Sequence, residues 1–388
     1  MVPRRVTYAL LALILALPTY LIHLVSGLNV LDVLILAVAL MGLYELKGKS
    51  WTWPAFTIPA LLLLVAAFIS IFIAPNHSAA LGIFKSWFVL PIFLSFVVAQ
   101  FEWDEESRLM VVRAVIAAGT IAALYAGYRY LFFNDWVDYQ GVKRAAGFFN
   151  QPNYLAMYLV GPILLSLGHA LKLKQFRVPM IIVTLLSMCM LVLSYSRGGM
   201  IALAITLLIG SYIFYSWRGA LSIIIITGIF FGGALSAIPS FRTRFSSALD
   251  TSDQTTSRAR IEIDQASKAM LRDHPILGVG LGGYQAAYET YHIVGALETD
   301  VQHPHNLFLA FWTQTGLLGI IAFLALCVQI FLVKPWKNGL AATLFFLSLI
   351  ATLLFGFFDT PYWKNDLALL FWVPLILMYK PSHVSKKS

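Results

Sequence analysis

Charge is what this sequence has least of. Aspartate, glutamate, lysine and arginine make up only 12% of its 388 residues, whereas 60% are hydrophobic. A soluble chain of this length carries roughly twice that charged fraction, so a soluble globular protein is excluded. Cysteine is almost absent too. Cys189 and Cys327 both fall inside apolar runs, which leaves no disulfide framework, zinc ligand set or activated thiol. Short alternating apolar segments are missing, which excludes a transmembrane β-barrel. No repeat of fixed period and no low-complexity tract occurs. The net charge of +9 is not gathered into a basic helix or a basic patch interleaved with aromatics, so the sequence offers no nucleic-acid surface.

What remains is a succession of apolar blocks. A helix needs about 20 such residues to cross a hydrocarbon core. The blocks predict an all-α polytopic membrane protein with about twelve transmembrane helices, near 6–26, 28–46, 54–73, 81–100, 108–133, 153–171, 177–195, 199–215, 219–238, 304–333, 338–357 and 364–379. Residues 1–238 then carry helices one to nine, 239–302 form a long polar loop, and 303–388 carry the last three helices and a basic tail. The first apolar run is too long for a cleaved signal peptide and lacks a clean small-x-small exit, so it reads as an uncleaved helix.

Loop charge sets the orientation. With Arg4 and Arg5 inside, fifteen of the 27 basic residues collect on the cytoplasmic side, among them Lys47, Lys49, Lys172, Lys174, Lys334 and Lys337. Both termini are then cytoplasmic, and the segments Asn134–Pro152 and Pro239–Gln302 lie outside. The second segment predicts an amphipathic helix from Ser257 to Arg272. Ala259, Ile263, Ala266 and Met270 form its apolar stripe, and Arg260, Asp264, Lys268 and Arg272 step by four along another face. Gly278-Val-Gly-Leu-Gly-Gly283 follows. It satisfies G-x-G-x-x-G, but no strand precedes it, so it reads as a tight glycine loop and not as a dinucleotide site.

The polar residues on the outer face are unbalanced. Arg144, Arg197, Arg258 and Arg260, with Arg242 and Arg244 nearby, accompany His303 and His305. Arginine grips phosphate through a planar fork, and such a set suits a lipid-linked diphosphate. Breaking a glycosyl–diphosphate bond requires charge to be stabilised on the leaving group, by metal ions or by fixed cations. Asp135, Asp138, Asp250, Asp253 and Asp359 face outward, yet no D-x-D occurs, so arginines read as the counter-charge, with no metal or other cofactor. A histidine near its ordinary pKa of about 6.5 suits removal of a proton from an attacking hydroxyl. Proline at the first helical turn places His303 just outside a helix and His305 inside its first turn. There the helix dipole and the arginines favour neutral imidazole, so His305 is the expected base and His303 an acceptor-side or orienting residue.

Four stretches carry a resemblance. His303-Pro-His-Asn-Leu-Phe-Leu309 with Thr315-Gly-Leu-Leu-Gly319 resembles the signature helix of the O-antigen ligase and polymerase superfamily, closest to the ligases. Arg260 with His274-Pro-Ile-Leu-Gly-Val-Gly-Leu-Gly282, Tyr195-Ser-Arg-Gly-Gly199, and Arg144-Ala-Ala-Gly-Phe-Phe-Asn-Gln-Pro-Asn153 match further stretches in order. The resemblance implies a GT-C-like, metal-independent, inverting glycosyltransferase of the bacterial inner membrane. It would move a glycan from undecaprenyl diphosphate to a hydroxyl of a glycolipid such as lipid A-core, in lipopolysaccharide biosynthesis, with surrounding membrane lipid as its other partner. His305 or His303 would be the base, and Arg197, Arg260, and more weakly Arg144 and Arg258, the diphosphate ligands. The same signature also serves polymerases and protein O-oligosaccharyltransferases. A transporter or lipid flippase is the alternative from another class, with Asp32 the clearest mid-span charge.

Overall fold

A computed structural model describes residues 1–25, 27–139, 142–149, 151–237, 242, 256–293 and 295–379. Arg244, Asp250 and Asp253 lie outside the described residues, as does most of the stretch between the two halves of the chain. The described fold is helical apart from two short antiparallel strand pairs, His23–Val25 with Leu28–Asn29 and Val137–Tyr139 with Val142–Arg144.

Among the described residues, five helices are long and apolar enough to cross a membrane: His77–Val98, Glu105–Phe132, Pro152–Lys172, Arg197–Ser222 and Leu307–Lys337. Thr57–Ile73, Arg177–Leu193, Leu340–Phe355 and Asn365–Leu377 are apolar but shorter. The all-α membrane class therefore holds, while the figure of twelve spans does not follow from helix length. Two differences are local. The first helix ends at Leu15, where Pro18 takes the chain into a tighter turn over Leu17–Leu21. The expected eighth and ninth spans are one element, Arg197–Ala237, kinked at Ser216, whose φ of 60° and ψ of −162° are not helical.

The core is built by small residues that let backbones approach. The Pro152–Lys172 helix packs against Glu105–Phe132, Arg177–Leu193 and Leu340–Phe355. A Cβ at Gly119 would lie 2.4 Å from the Cβ of Pro162, and one at Gly168 2.2 Å from a methyl of Leu344. In lipid, close backbone approach of this kind is a main source of helix association. At the opposite end Arg108 donates to the carbonyls of Tyr379 and Asn338, and Glu105 accepts from Ala341 N, so helix ends there are satisfied. Asp32 is not a mid-span charge. It lies in the first turn of the Val30–Glu45 helix and pairs with Lys85 at 2.7 Å.

The glycine run has a specific partner. The Leu307–Leu332 helix breaks at Gly316, where φ is 70° and ψ −173°. An unbroken helix would join Leu317 N to Thr313 O. Here Leu317 N donates instead to Ile276 O at 2.8 Å, and Thr313 O accepts from Val279 N at 2.7 Å. The loop thus enters the gap of the broken helix and satisfies both freed groups, as irregular backbone beside a membrane must. Only glycine permits it: a Cβ would sit 2.2 Å from Thr313 O at position 278 and 2.3 Å from Ile276 O at position 316. The loop also reaches the Thr57–Ile73 helix, where Leu281 N donates to Ser70 O at 3.2 Å.

The expected amphipathic helix spans Thr256–Asp273. All four residues of its apolar stripe, Ala259, Ile263, Ala266 and Met270, are buried, the last three in a cluster with Tyr284 and Tyr288 of the following short helix. On the exposed face Lys268 and Asp264 pair at 2.5 Å.

Candidate active site

The site is built where the helix Leu307–Leu332 begins. Asn306 is its N-cap: Oδ1 accepts from Phe308 N at 3.0 Å and Leu309 N at 3.1 Å. The first helical amide, Leu307 N, donates to Gly356 O at 2.7 Å, which pins this helix start to the end of Leu340–Phe355. His303 and His305 consequently stand before the helix, side by side, with ring centroids 5.5 Å apart.

His305 is not in the first turn as its spacing predicts. Its φ is 47°, in the left-handed region, a conformation that costs a non-glycine residue about 1–3 kcal/mol and persists only where neighbours enforce it. One such neighbour is Asp359. The Nδ1 of His305 lies 3.2 Å from Asp359 Oδ1, and 25% of the histidine side chain stays exposed against 3% of the aspartate. The buried carboxylate is well satisfied. Oδ1 also accepts from Thr360 N at 3.0 Å, and Oδ2 accepts from Asn153 Nδ2 at 3.0 Å.

The network continues inward. Asn153 Oδ1 accepts from Arg144 Nη2 at 2.9 Å, and Arg144 Nε donates to Ser194 O at 2.8 Å. One hydrogen-bonded path therefore joins the turn before Arg197, the arginine and asparagine of the Arg144–Asn153 stretch, Asp359 and His305. Sequence reading had these stretches in separate outer connections. It did not assign Asp359 a partner, nor Asn153 a role.

The two histidines differ electrostatically. Burial opposes the charged form of His305, but the charge and hydrogen bond of Asp359 outweigh it and raise its pKa above the ordinary histidine value. The expectation that dipole and arginines would keep His305 neutral is corrected by that carboxylate. His303 goes the other way. Burial, with the neighbouring His305, lowers its pKa to about 4, and its Nδ1 is buried with no hydrogen-bond partner among the described residues. Burial works against ionisation of Asp359, yet His305, His303 and Arg260 together hold its carboxyl well below the usual range.

The arginines divide. Arg260 is close enough to act electrostatically on both His305 and Asp359. Arg197 opens its helix directly after Ser194–Ser196, and the glycines that follow it explain its position. A Cβ at Gly198 would lie 2.5 Å from the Cβ of Phe358, the residue before Asp359. Arg144 is buried, with Nε and Nη2 engaged inside the protein, so its geometry is that of a tie between elements. Arg258 bridges to Glu262 at 2.8 Å, and Glu262 Oε2 accepts from Leu297 N at 3.0 Å, which fastens the outer helix to the segment leading into His303.

Residues 182–324 match the family model described as O-antigen ligase. The match supports membership of the O-antigen ligase superfamily. The matched stretch contains Arg197, Arg258, Arg260, His303 and His305, while Arg144, Asn153 and Asp359 lie outside it. Among curated proteins, no match to the chain is found. The superfamily points to glycosyltransferase-type ligase or polymerase activity in general, with a lipid-linked glycan and a lipid acceptor as partner classes.

Proposed function

We propose that the chain is a metal-independent, inverting glycosyltransferase of the ligase type. It moves a glycan from a polyprenyl-diphosphate donor to a hydroxyl of a glycolipid acceptor, on the outer face of the cytoplasmic membrane, with both termini inside. The observation that carries this reading is the His305–Asp359 pair, joining the start of the Leu307–Leu332 helix to the connection after Phe355 within electrostatic reach of Arg260. An aspartate that binds one ring nitrogen fixes the tautomer and leaves the other nitrogen as the base.

In this mechanism Asp359 holds the proton on His305 Nδ1, and Nε2 removes the proton of the acceptor hydroxyl. The acceptor oxygen forms its bond to the anomeric carbon as the bond to the diphosphate oxygen breaks. A single displacement inverts that carbon. The negative charge leaving on the diphosphate is offset by Arg197 and Arg260. His303 is a poor base at neutral pH, since it gives up its proton near pH 4. It serves better as a neutral hydrogen-bonding neighbour of the acceptor.

The experiment is transfer by the purified protein in lipid nanodiscs, from a polyprenyl-diphosphate oligosaccharide to a glycolipid acceptor, with no ion gradient present. Transfer that survives chelation supports the reading. Transport of the donor without formation of a glycosidic bond would overturn it.

A further inference from the structure

A cavity of about 410 Å³ opens between the 23–29 connection, the start of the His77–Val98 helix and Asn365. It lies at the end of the bundle that carries the histidines, because Asn365 closes the same connection that begins after Phe355 and contains Asp359. Among the described residues, no aspartate, glutamate, lysine or arginine lines it, and the charged pair held behind Ser86 and Asn365 is internally compensated. Buried Asp32 binds Lys85 at 2.7 Å and accepts from Ser86 Oγ at 2.9 Å and Asn365 Nδ2 at 3.2 Å. Lys85 also donates to Gly27 O.

His23 is the one ionisable side chain among the described residues lining the cavity, and asparagine and serine side chains share the rest of the wall with Trp87 and small or apolar residues. Asn29 and Asn76 use their Oδ1 atoms as helix caps, accepting from Asp32 N and Ala79 N, a role that leaves their amide nitrogens uncommitted. Trp87 offers a ring held in place: Nε1 donates to Asn365 Oδ1 at 2.8 Å, and its carbonyl accepts from Tyr362 OH at 2.9 Å. A π-helical turn over Phe84–Val89 brings Ser86 and Trp87 to this wall, a distortion often found at functional sites.

A phosphate would need uncommitted cations, and an acyl chain would need an apolar wall. Carboxamides, a hydroxyl and a fixed aromatic ring instead suit an uncharged polyhydroxylated ligand. We propose that this cavity is a glycan subsite, which holds an uncharged sugar unit of one substrate while the reacting bond lies at His305. Tyr362 and Asn365 tie its wall to the Asp359 connection. The inference rests on the glycosyl-transfer reading and adds a second, separate contact region. The sugar could belong to donor or acceptor, and the experiment separates them.

Gly82 allows the cavity to be filled without a clash, because a Cβ there meets nothing within 4 Å. Gly82→Trp and Ser78→Trp, with Gly82→Ala as control, are compared in nanodiscs by saturation-transfer NMR. The probes are the oligosaccharides released by mild acid from the polyprenyl-diphosphate fraction and, separately, from the glycolipid fraction of the producing cells. One probe should bind the wild type and Gly82→Ala, and bind at least about tenfold more weakly to both tryptophan variants, whose monodisperse elution matches the wild type. Which probe does so names the source. Equal binding to all four proteins, or no binding of either probe to the wild type, overturns the subsite. Because binding is read without turnover, the two readings fail separately. Normal KM values for both substrates in the tryptophan variants would sink the subsite alone, and binding as predicted in a chain that never transfers glycan would sink only the transfer reading.

Discussion

His305 Nδ1 stands 3.2 Å from Asp359 Oδ1, across 54 residues of sequence, with the histidine backbone in the left-handed region to make the contact. The pairing raises the proton affinity of His305 above that of an ordinary histidine, and under the proposed mechanism it should shape the pH behaviour of the reaction.

That behaviour is the first prediction. A raised pKa means that His305 stays protonated, and inactive as a base, to higher pH than an ordinary histidine at about 6.5. The acid limb of the rate profile should therefore lie above that value. Asp359→Asn removes the carboxylate charge, so the limb should move to lower pH while the maximal rate falls by about 10²–10⁴. A limb that stays in place in Asp359→Asn would detach Asp359 from the titration.

The arginines should respond to shape as well as charge. Arg197→Lys keeps the charge and loses the planar fork, and Arg260→Ala loses both. Each should lower turnover by about 100-fold with intact folding, and added divalent metal should restore neither. Rescue of either variant by magnesium would refute the arginine clamp.

Arg144 should behave as a positioning residue. Arg144→Leu leaves Ser194 O and Asn153 Oδ1 without their donor, at a cost of about 1–3 kcal/mol in stability. The rate constant of a single turnover should fall while donor affinity stays near that of the wild type. Loss of donor affinity equal to that in Arg197→Lys would make Arg144 a diphosphate ligand instead.

The glycine loop should depend on the broken helix. Gly316→Ala places a Cβ 2.3 Å from Ile276 O at a φ of 70°. It should release the loop, so that protease cuts within 256–302 at least about tenfold faster while the membrane helices stay protected. An unchanged cleavage rate would show that the loop does not need the gap.

Much of this was legible in the residues. Mean composition and apolar blocks gave the membrane class, and the stripe Ala259, Ile263, Ala266 and Met270 gave the outer helix to within a residue at either end. Helix count was less legible, because an apolar run does not reveal a kink such as that at Ser216, nor a helix that stops at Leu15 inside an apolar block. The glycine run read correctly as a tight loop, but nothing local shows that its partner is the backbone of Thr313. Asp359 was the main omission. A lone carboxylate in an aromatic-rich connection has no spacing that links it to His305; the tertiary packing of that connection on the Leu307–Leu332 helix, through Leu307 N to Gly356 O and the Phe311–Tyr362 contact, brings the two together. The dipole argument for a neutral His305 failed for the same reason.

The most direct test of the account is single-turnover transfer by His305→Ala and His303→Ala, measured with donor binding in the same nanodisc preparation. His305→Ala should bind the polyprenyl-diphosphate donor like the wild type and transfer at least about 100-fold more slowly, and His303→Ala should keep measurable turnover. Wild-type transfer by His305→Ala, with His303→Ala inactive, would contradict the assignment of the base.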